Sequence, residues 1–153
     1  MTQKSELRLV PMTPALVGEV ALLEQICFSD PWSRQALAAE LEEPAAAWLV
    51  ALDGKRPVGY IGLHIAADEG EIVNLAVSPG WRKKGVGAAL LGTVLDFAAF
   101  QGVTAVWLEV RESNTAARRL YEKAGFAPVG IREKYYSAPV ENAVMMKKEL
   151  ELC

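Results

Sequence analysis

The stretch Arg82-Lys83-Lys84-Gly85-Val86-Gly87 lies between an apolar predicted strand, residues 71–77, and a predicted helix that runs from Val86 to Phe100. Glycines let the backbone curl without Cβ clashes, so several N–H groups can point at one anion. The helix N-terminus adds unpaired donors and a partial positive charge, and the arginine and lysines add full charges. The loop therefore predicts a pyrophosphate-binding site, and its structural alternative is an ordinary solvated helix start.

Two other phosphate-binding motifs can be tested against this loop. A P-loop requires Gly-Lys followed by Ser or Thr, and the sequence contains no such tripeptide. A dinucleotide fingerprint fits Gly85-Val86-Gly87 in part, and Glu109 follows about 20 residues later, as that motif requires. Leu90 occupies the third glycine position, however, and the span from Val77 to Gly85 is too long for the tight turn of that fold. The dinucleotide interpretation is therefore the weaker one.

Apolar periodicity extends this strand–loop–helix unit in both directions. A stripe at helical spacing predicts the buried face of the helix after the loop: Leu90, Leu91, Val94, Leu95 and Ala98. Strands are predicted at 7–12, 48–52, 58–65, 71–77, 104–110, 126–136 and 143–150, and helices at 14–28, 33–43, 86–100 and 114–124. The order β-α-α-β-β-β-α-β-α-β-β predicts an α/β sandwich with a mixed sheet. A length of 153 residues argues for one domain over residues 1–153.

Composition excludes several classes of function and location. The net charge of −3 provides no overall basic field to recruit nucleic acid. No apolar run approaches the roughly 18 residues of a membrane span, and the N-terminal MTQKSELRL has no signal region. Cys27 and Cys153 have no metal-ligand spacing, so no metal is expected and a reducing compartment is the simpler interpretation. We therefore expect a soluble cytoplasmic protein that binds neither nucleic acid nor membrane.

The pattern Arg82-x-x-Gly85-x-Gly87 resembles the acetyl-CoA signature of the GNAT superfamily of N-acetyltransferases. Residues 107–114, WLEVRESN, and 120–126, LYEKAGF, look like the RimI family almost residue for residue. Residues 28–33, FSDPWS, and the pair Tyr135-Tyr136 also match that family at the expected places. The resemblance covers nearly the whole chain, with no departure at the positions expected to be catalytic.

The resemblance implies a fold and a mode of binding acetyl-CoA, which serves as co-substrate. The implied fold has a mixed, mostly antiparallel central sheet of about seven strands, flanked by about four helices. Its central pair, the strands at 71–77 and 104–110, splays apart, and acetyl-CoA lies in the opening. Leu75, Ala76 and Val77 would offer backbone hydrogen bonds to the pantetheine arm and the acetyl group. The pyrophosphate would be held by Arg82, Lys83, Lys84, Gly85, Val86 and Gly87.

The implied reaction is direct transfer, in which an amine attacks the thioester and coenzyme A leaves as a thiolate. A free α-amine with a pKa of about 8 is only about one-tenth neutral at pH 7, so a nearby base helps. Glu109 is the candidate base, because strand alternation places it with Trp107 and Arg111 on one face, near the strand end where ligand crevices form. The structural alternative is a carboxylate paired with Arg111.

Tyr121 is the candidate acid that protonates the departing thiolate, and Asn114 is a candidate ligand of pantetheine. The two residues are seven positions apart, which places them on one helix face two turns apart. Asn114 also occupies an N-cap-like position, so capping is its alternative role, and packing at the core edge is that of Tyr121. The amide of Val77 would hold most of the oxyanion charge.

The candidate acceptor-binding residues are Trp32, in a loop that could border the substrate groove, and Tyr135 and Tyr136 near the closing hairpin. Packing within the hairpin is the alternative for both tyrosines, and His64 is expected to be structural. Acidic residues that could face the groove would steer a basic peptide: Glu40, Glu42, Glu43, Asp68, Glu69 and Glu71.

The resemblance favours a monomeric enzyme that acetylates a protein N-terminus, namely the N-terminal alanine of a small-subunit ribosomal protein. A small-molecule acetyltransferase acting on a polyamine, amino acid or drug amine is the first alternative. A non-catalytic acetyl-CoA-binding subunit is the second, and the presence of Glu109 and Tyr121 argues against it.

Overall fold

A mixed β-sheet forms the centre of the molecule. The structure is a computed structural model that describes residues 7–151. Within that range the strands are β1 (Leu7–Pro11), β2 (Ala46–Asp53), β3 (Arg56–Ala66), β4 (Glu69–Val77), β5 (Ala105–Arg111), β6 (Ala127–Tyr136) and β7 (Glu141–Glu149). Their order in the sheet is β1-β2-β3-β4-β5-β7-β6, and every neighbouring pair is antiparallel except β4–β5. The predicted mixed, mostly antiparallel sheet of about seven strands is confirmed.

Helices cover both faces of this sheet. The described residues form α1 (Pro14–Cys27), α2 (Arg34–Glu40), α3 (Val86–Phe100) and α4 (Thr115–Lys123), with a short 3-10 turn at Pro79–Trp81 that the sequence did not predict. Ser33 caps α2 as predicted, accepting a hydrogen bond from the Ala36 N–H at 3.0 Å. The helix ends at Glu40 instead of the predicted residue 43, since the chain enters a turn there.

The core has two halves because successive strand residues point to opposite faces. The α3 stripe predicted from periodicity is buried and packs on the face that carries Val106, Leu108 and Val110 of β5. The other face of the sheet packs against α1 and α2, with residues such as Val20 and Leu37 in a second cluster. The face of β5 that carries Glu109 is therefore the one opposite α3.

The two central parallel strands diverge. β4 pairs with β5 at Glu69↔Ala105, Gly70↔Val106 and Glu71↔Trp107, and from there β4 continues along β3 while β5 continues along β7. The register of β3 against β4 shifts where Gly62 pairs with Asn74 and Leu63 with Ile72, which leaves Val73 as an extra residue. Such a bulge bends its strand, so it opens a gap beside residues 74–77. The predicted splayed central pair is confirmed.

Some sequence-based expectations fall outside the described residues. The N-terminal segment before Leu7 and Cys153 are among them. In residues 7–151, no helix is both long enough and apolar enough to cross a membrane. Within the same range, no three His, Cys, Asp or Glu side chains come together as a metal site would require.

Candidate functional site

The gap between β4 and β5 exposes backbone groups of β4. Ser78 N–H donates to the Val58 carbonyl at 2.8 Å, and ladder bonds alternate along an antiparallel strand. The Ala76 amide therefore faces β3, whereas the amides of Leu75 and Val77 face the gap. The Leu75 N–H donates to the side-chain oxygen of Asn74 at 3.1 Å. Of the three residues predicted to bind pantetheine, Val77 is thus the one that aims a backbone donor into the gap.

The basic loop, residues 82–85, lies between β4 and α3 and folds back on β4. Arg82 donates from Nε to the Val77 carbonyl at 3.2 Å, so its guanidinium lies along the end of β4. Lys84 places Nζ 5.3 Å from the centre of the Trp81 ring, a cation–π arrangement. Lys83 and Gly85 both have positive φ, +63° and +83°. The left-handed conformation of Gly85 agrees with the predicted curl at a glycine, whereas that of Lys83 was not predicted. Arg82, Lys83, Lys84 and Gly85 are all exposed.

The start of α3 presents unpaired amides at the end of this loop. Ala89 N–H makes the first helical hydrogen bond, to the Gly85 carbonyl at 3.0 Å. Gly85 is the N-cap and has no side chain, so it cannot cap the amides of the first helical turn, residues 86–88. The Val86 side chain is buried, so only its backbone can contribute to binding. A Cβ at Gly87 would lie 3.2 Å from Leu120 Cδ2, which shows how closely α3 and α4 pack. These features fit a pyrophosphate group.

Glu109 lies on β5 on the face opposite α3, with a side chain that is 20% exposed. Burial raises the pKa of its carboxyl, the nearby Glu71 carboxylate raises it further, and Arg132 lowers it. Arg132 Nε lies 3.3 Å from Glu109 Oε1. The alternative in which Glu109 pairs with Arg111 is wrong, because Arg111 Nη1 instead lies 3.3 Å from Glu141 Oε1.

Tyr121 and Asn114 lie at opposite ends of α4. Tyr121 is 7% exposed and packs edge-to-face on Phe126, with ring centres 5.7 Å apart. Burial raises the pKa of its phenol strongly, and Tyr136 adds to that rise, so the hydroxyl stays protonated and able to donate. Asn114 caps the helix, accepting from the Ala117 N–H at 3.1 Å. The capping role considered for Asn114 is therefore present, and a role in binding pantetheine stays a prediction.

The two hairpin tyrosines lie on the Glu109 side of the sheet. Their rings are 5.0 Å apart and nearly perpendicular, and Arg111 lies 4.5 Å from the centre of the Tyr136 ring. Burial raises the pKa of Tyr136 to about 12, with smaller contributions from Tyr135 and Glu109. Tyr135 is 51% exposed, and burial, then Glu109, raises its pKa as well. Both hairpin tyrosines are thus neighbours of Glu109, and Tyr136 is also a neighbour of Tyr121, which itself belongs to the core cluster on the α3 side of the sheet.

The loop that carries Trp32 reaches the same end of β5, since Arg111 donates to the Ser29 hydroxyl at 3.4 Å. The Trp32 ring itself packs edge-to-face on Trp48, with centres 5.5 Å apart. His64 is structural as expected and binds Glu40. A cavity of about 400 Å³ near Glu40 lies between α2, β2 and α3, away from the gap.

Sequence reasoning missed two partners of Glu109. Glu71 appeared only among the surface charges, and Arg132 was not singled out. Both become neighbours through strand pairing, Glu71 across from Trp107 and Arg132 from the next hairpin. A local sequence pattern contains no signal for either contact.

The chain resembles known proteins in sequence over most of its length. A model of the acetyltransferase (GNAT) family matches residues 18–126. The ribosomal protein bS18-alanine N-acetyltransferase of Escherichia coli (strain K12) is 36% identical over 126 residues, which cover 81% of this chain and 84% of that protein. An uncharacterized protein of Mycobacterium leprae (strain TN) is 38% identical over 146 residues, 92% of this chain but only 40% of that protein.

Solved structures show the same architecture. The crystal structure of the ribosomal-protein-S18-alanine N-acetyltransferase from Escherichia coli superposes with a TM-score of 0.89 at 27% identity. The match covers 97% of this chain and 96% of that chain, so nearly every element of the fold has a counterpart there.

Proposed function

The chain belongs to the acetyltransferase (GNAT) family, and from that premise we propose that it transfers the acetyl group of acetyl-CoA to the N-terminal α-amine of a protein. The proposed acceptor is the N-terminal alanine of a small-subunit ribosomal protein, supported by the 36% identity to the E. coli enzyme named for that reaction. The observation that carries the proposal is Glu109, a half-buried carboxylate with a raised pKa at the edge of the β4–β5 gap. We further propose that it acts as a monomer in the cytoplasm.

The donor side of the site is built from backbone. The first-turn amides of α3 and the exposed basic loop would hold the pyrophosphate, since they combine unpaired N–H groups, the helix dipole and full positive charge. The Val77 N–H would stabilise the negative charge that develops on the thioester oxygen. When bound, acetyl-CoA supplies the activated acyl carbon.

The acceptor side is built from side chains. Glu109 would take the proton of the ammonium, directly or through a water, as the amine attacks. Tyr121 would donate a proton to the departing sulfur, which its raised pKa permits at neutral pH. Tyr135 and Tyr136 would line the path of the peptide, where large rings contribute contact area at small entropic cost. Of the acidic residues predicted to steer a basic peptide, Glu71 lies beside Glu109, whereas Glu40 is occupied by Trp48 and His64.

Tyr121→Phe should slow turnover less than loss of the base does. Coenzyme A leaves as a thiolate, and a thiol with a pKa of about 8.5 is already a fair leaving group, so we expect a loss in kcat of about tenfold. The phenyl ring keeps its packing on Phe126, so the melting temperature should change little. Steady-state kinetics with acetyl-CoA and with an acetyl thioester of a more acidic thiol test the role. An undiminished kcat with acetyl-CoA would leave Tyr121 as a packing residue.

The preferred acceptor should be a peptide α-amine. At pH 7 the pKa of an α-amine, about 8, lies only about one unit above the pH, whereas the lysine pKa of about 10.4 lies more than three units above it. Deprotonating the lysine therefore costs more free energy. A single carboxylate suits the easier case. Mass spectrometry of a basic peptide carrying a free N-terminal alanine and an internal lysine should find acetyl on the N-terminus, and the N-formylated peptide serves as control. Label mainly on the lysine, or faster turnover of spermidine, would point instead to a small-molecule or lysine acetyltransferase.

A further inference from the structure

Glu24 is a carboxylate in the buried stripe of α1. Its side chain is fully buried at 0% exposure, the sole charged residue so placed in residues 7–151. Burial raises the pKa of the carboxyl, and the nearby Tyr60 hydroxyl, Trp32 amide and Asn74 side chain lower it by smaller amounts. A carboxylate removed from water is costly unless it is bound. The proposed transfer reaction gives Glu24 no role, so its burial in α1 needs a separate explanation.

Asn74 connects this carboxylate to the backbone of β4. Its Nδ2 donates to Glu24 Oε1, and its Oδ1 accepts the Leu75 N–H at 3.1 Å. Because Glu24 Oε1 accepts from this amide, the nitrogen of Asn74 is turned toward α1. The oxygen is then left facing Leu75. Glu24 thus determines which end of Asn74 holds the backbone.

The contact lies where β4 leaves β5. Asn74 directly follows the bulged residue Val73, and the last β4–β5 pair is Glu71↔Trp107. Beyond Glu71 this backbone pairs with β3 but no longer with β5, so side chains can satisfy the groups on its gap side. A second anchor from α1 lies three residues on, where the Cys27 thiol approaches the Val77 carbonyl at 3.7 Å. Helix α1 therefore contacts both ends of residues 74–77.

We propose that Glu24 is a positioning residue: through Asn74 it holds Leu75 and thereby keeps the Val77 N–H aimed into the gap. The inference rests on the proposed function, since that N–H has a role only when a thioester binds beside it. Glu24 touches no reacting atom. It acts by fixing the path of the strand that receives the donor substrate.

The test compares variants that keep or remove the acceptor oxygen. Glu24→Gln retains a side-chain oxygen that can accept from Asn74, so acetyl-CoA affinity should stay within about threefold of wild type. A change of that size is smaller than the net contribution of one hydrogen bond. Glu24→Leu removes the acceptor while filling the space, and replacing a buried charge by an apolar group of similar size is often tolerated. We expect it to weaken acetyl-CoA binding about tenfold, the worth of one misplaced hydrogen bond.

Two measurements separate positioning from general stability. Calorimetry gives the acetyl-CoA affinity, and amide hydrogen exchange by NMR should show faster exchange at Leu75 in Glu24→Leu than in wild type. The double variant Glu24→Leu/Asn74→Leu also removes the Asn74 amide that Glu24→Leu would leave without its acceptor, and it should lose affinity equally. Glu19→Gln and Glu19→Leu on the exposed face of α1 are matched controls that should change neither readout.

The outcomes are distinct. Wild-type affinity in Glu24→Leu, or an equal loss in Glu24→Gln, overturns the positioning role. A lowered melting temperature with unchanged affinity and unchanged Leu75 exchange overturns it as well. If wild-type protein itself gives no acetyl-CoA binding, the proposed function fails, and the Leu75 exchange rates still report whether Glu24 holds the strand.

Discussion

Glu109→Gln is expected to lower kcat at pH 7 by about 100- to 10,000-fold while acetyl-CoA affinity stays near that of wild type. The amide keeps the shape and one acceptor of the carboxylate but cannot take a proton from the ammonium. Acetyl-CoA affinity should be preserved because the proposed donor contacts are made by β4, the basic loop and α3. The rate at which free coenzyme A thiol is released gives kcat, and calorimetry gives the acetyl-CoA affinity. The matched control is Asp96→Asn on the exposed side of α3, which should have wild-type kinetics.

The pH dependence gives this prediction a second readout. A base works only when ionised, so activity is lost as pH falls through its pKa, and burial together with Glu71 raises that pKa. Glu71→Gln removes a neighbouring negative charge and should move the acidic limb of kcat/KM to lower pH. Arg132→Met removes the charge that lowers the pKa and should move the limb to higher pH. The loss in Glu109→Gln should itself shrink at high pH, where the amine is already neutral.

A wild-type kcat for Glu109→Gln at pH 7 would end the assignment of Glu109 as the base. If the acidic limb of the kcat/KM pH profile stays in place in both Glu71→Gln and Arg132→Met, that limb reports the pKa of a group other than Glu109. The free α-amine titrates at about pH 8 and should appear as a separate limb that none of these variants moves.

Gly85→Asp should weaken acetyl-CoA binding by about 100- to 1,000-fold, because two like charges about 4 Å apart repel by a few kcal/mol at the effective dielectric of a protein surface, and the new carboxylate would face the phosphates that this loop is proposed to hold. Within the described residues, no heavy atom beyond the two chain neighbours lies within 4 Å of a Cβ built at Gly85, so the side chain has room. Gly87 is a poorer site for the test, since a Cβ there meets Leu120 at 3.2 Å and would disturb the packing of α3 on α4.

Gly85→Asn is the matched control for the loop. Asparagine has the same shape as aspartate and tolerates the positive φ of +83° about as well, so both variants carry the same backbone strain. The difference between them isolates the charge. Calorimetry should show a much smaller loss for Asn than for Asp. Equal affinities for the two variants would contradict an anion site at the start of α3.

Local sequence patterns were sufficient to predict the individual helices and strands. The α3 stripe from Leu90 to Ala98 is buried as the 3.6-residue period requires, and Ser33 and Asn114 cap the helices they precede. The signal for Glu24 was also local, because a glutamate four residues after Val20 falls inside an apolar stripe. It went unrecognised because a lone charge in a stripe does not indicate which strand will bind it.

The sequence by itself determined the basic loop before α3, the side of β5 on which Glu109 points, and the family to which the chain belongs. These depend on periods of two and 3.6 residues and on short motifs, which act over a few positions of chain. Only the tertiary structure decided that β4 leaves β5 after Glu71, and that Glu109 meets Arg132 instead of Arg111. Those contacts depend on the register between strands far apart in sequence and on a one-residue bulge at Val73, and register is set by the packing of the whole sheet.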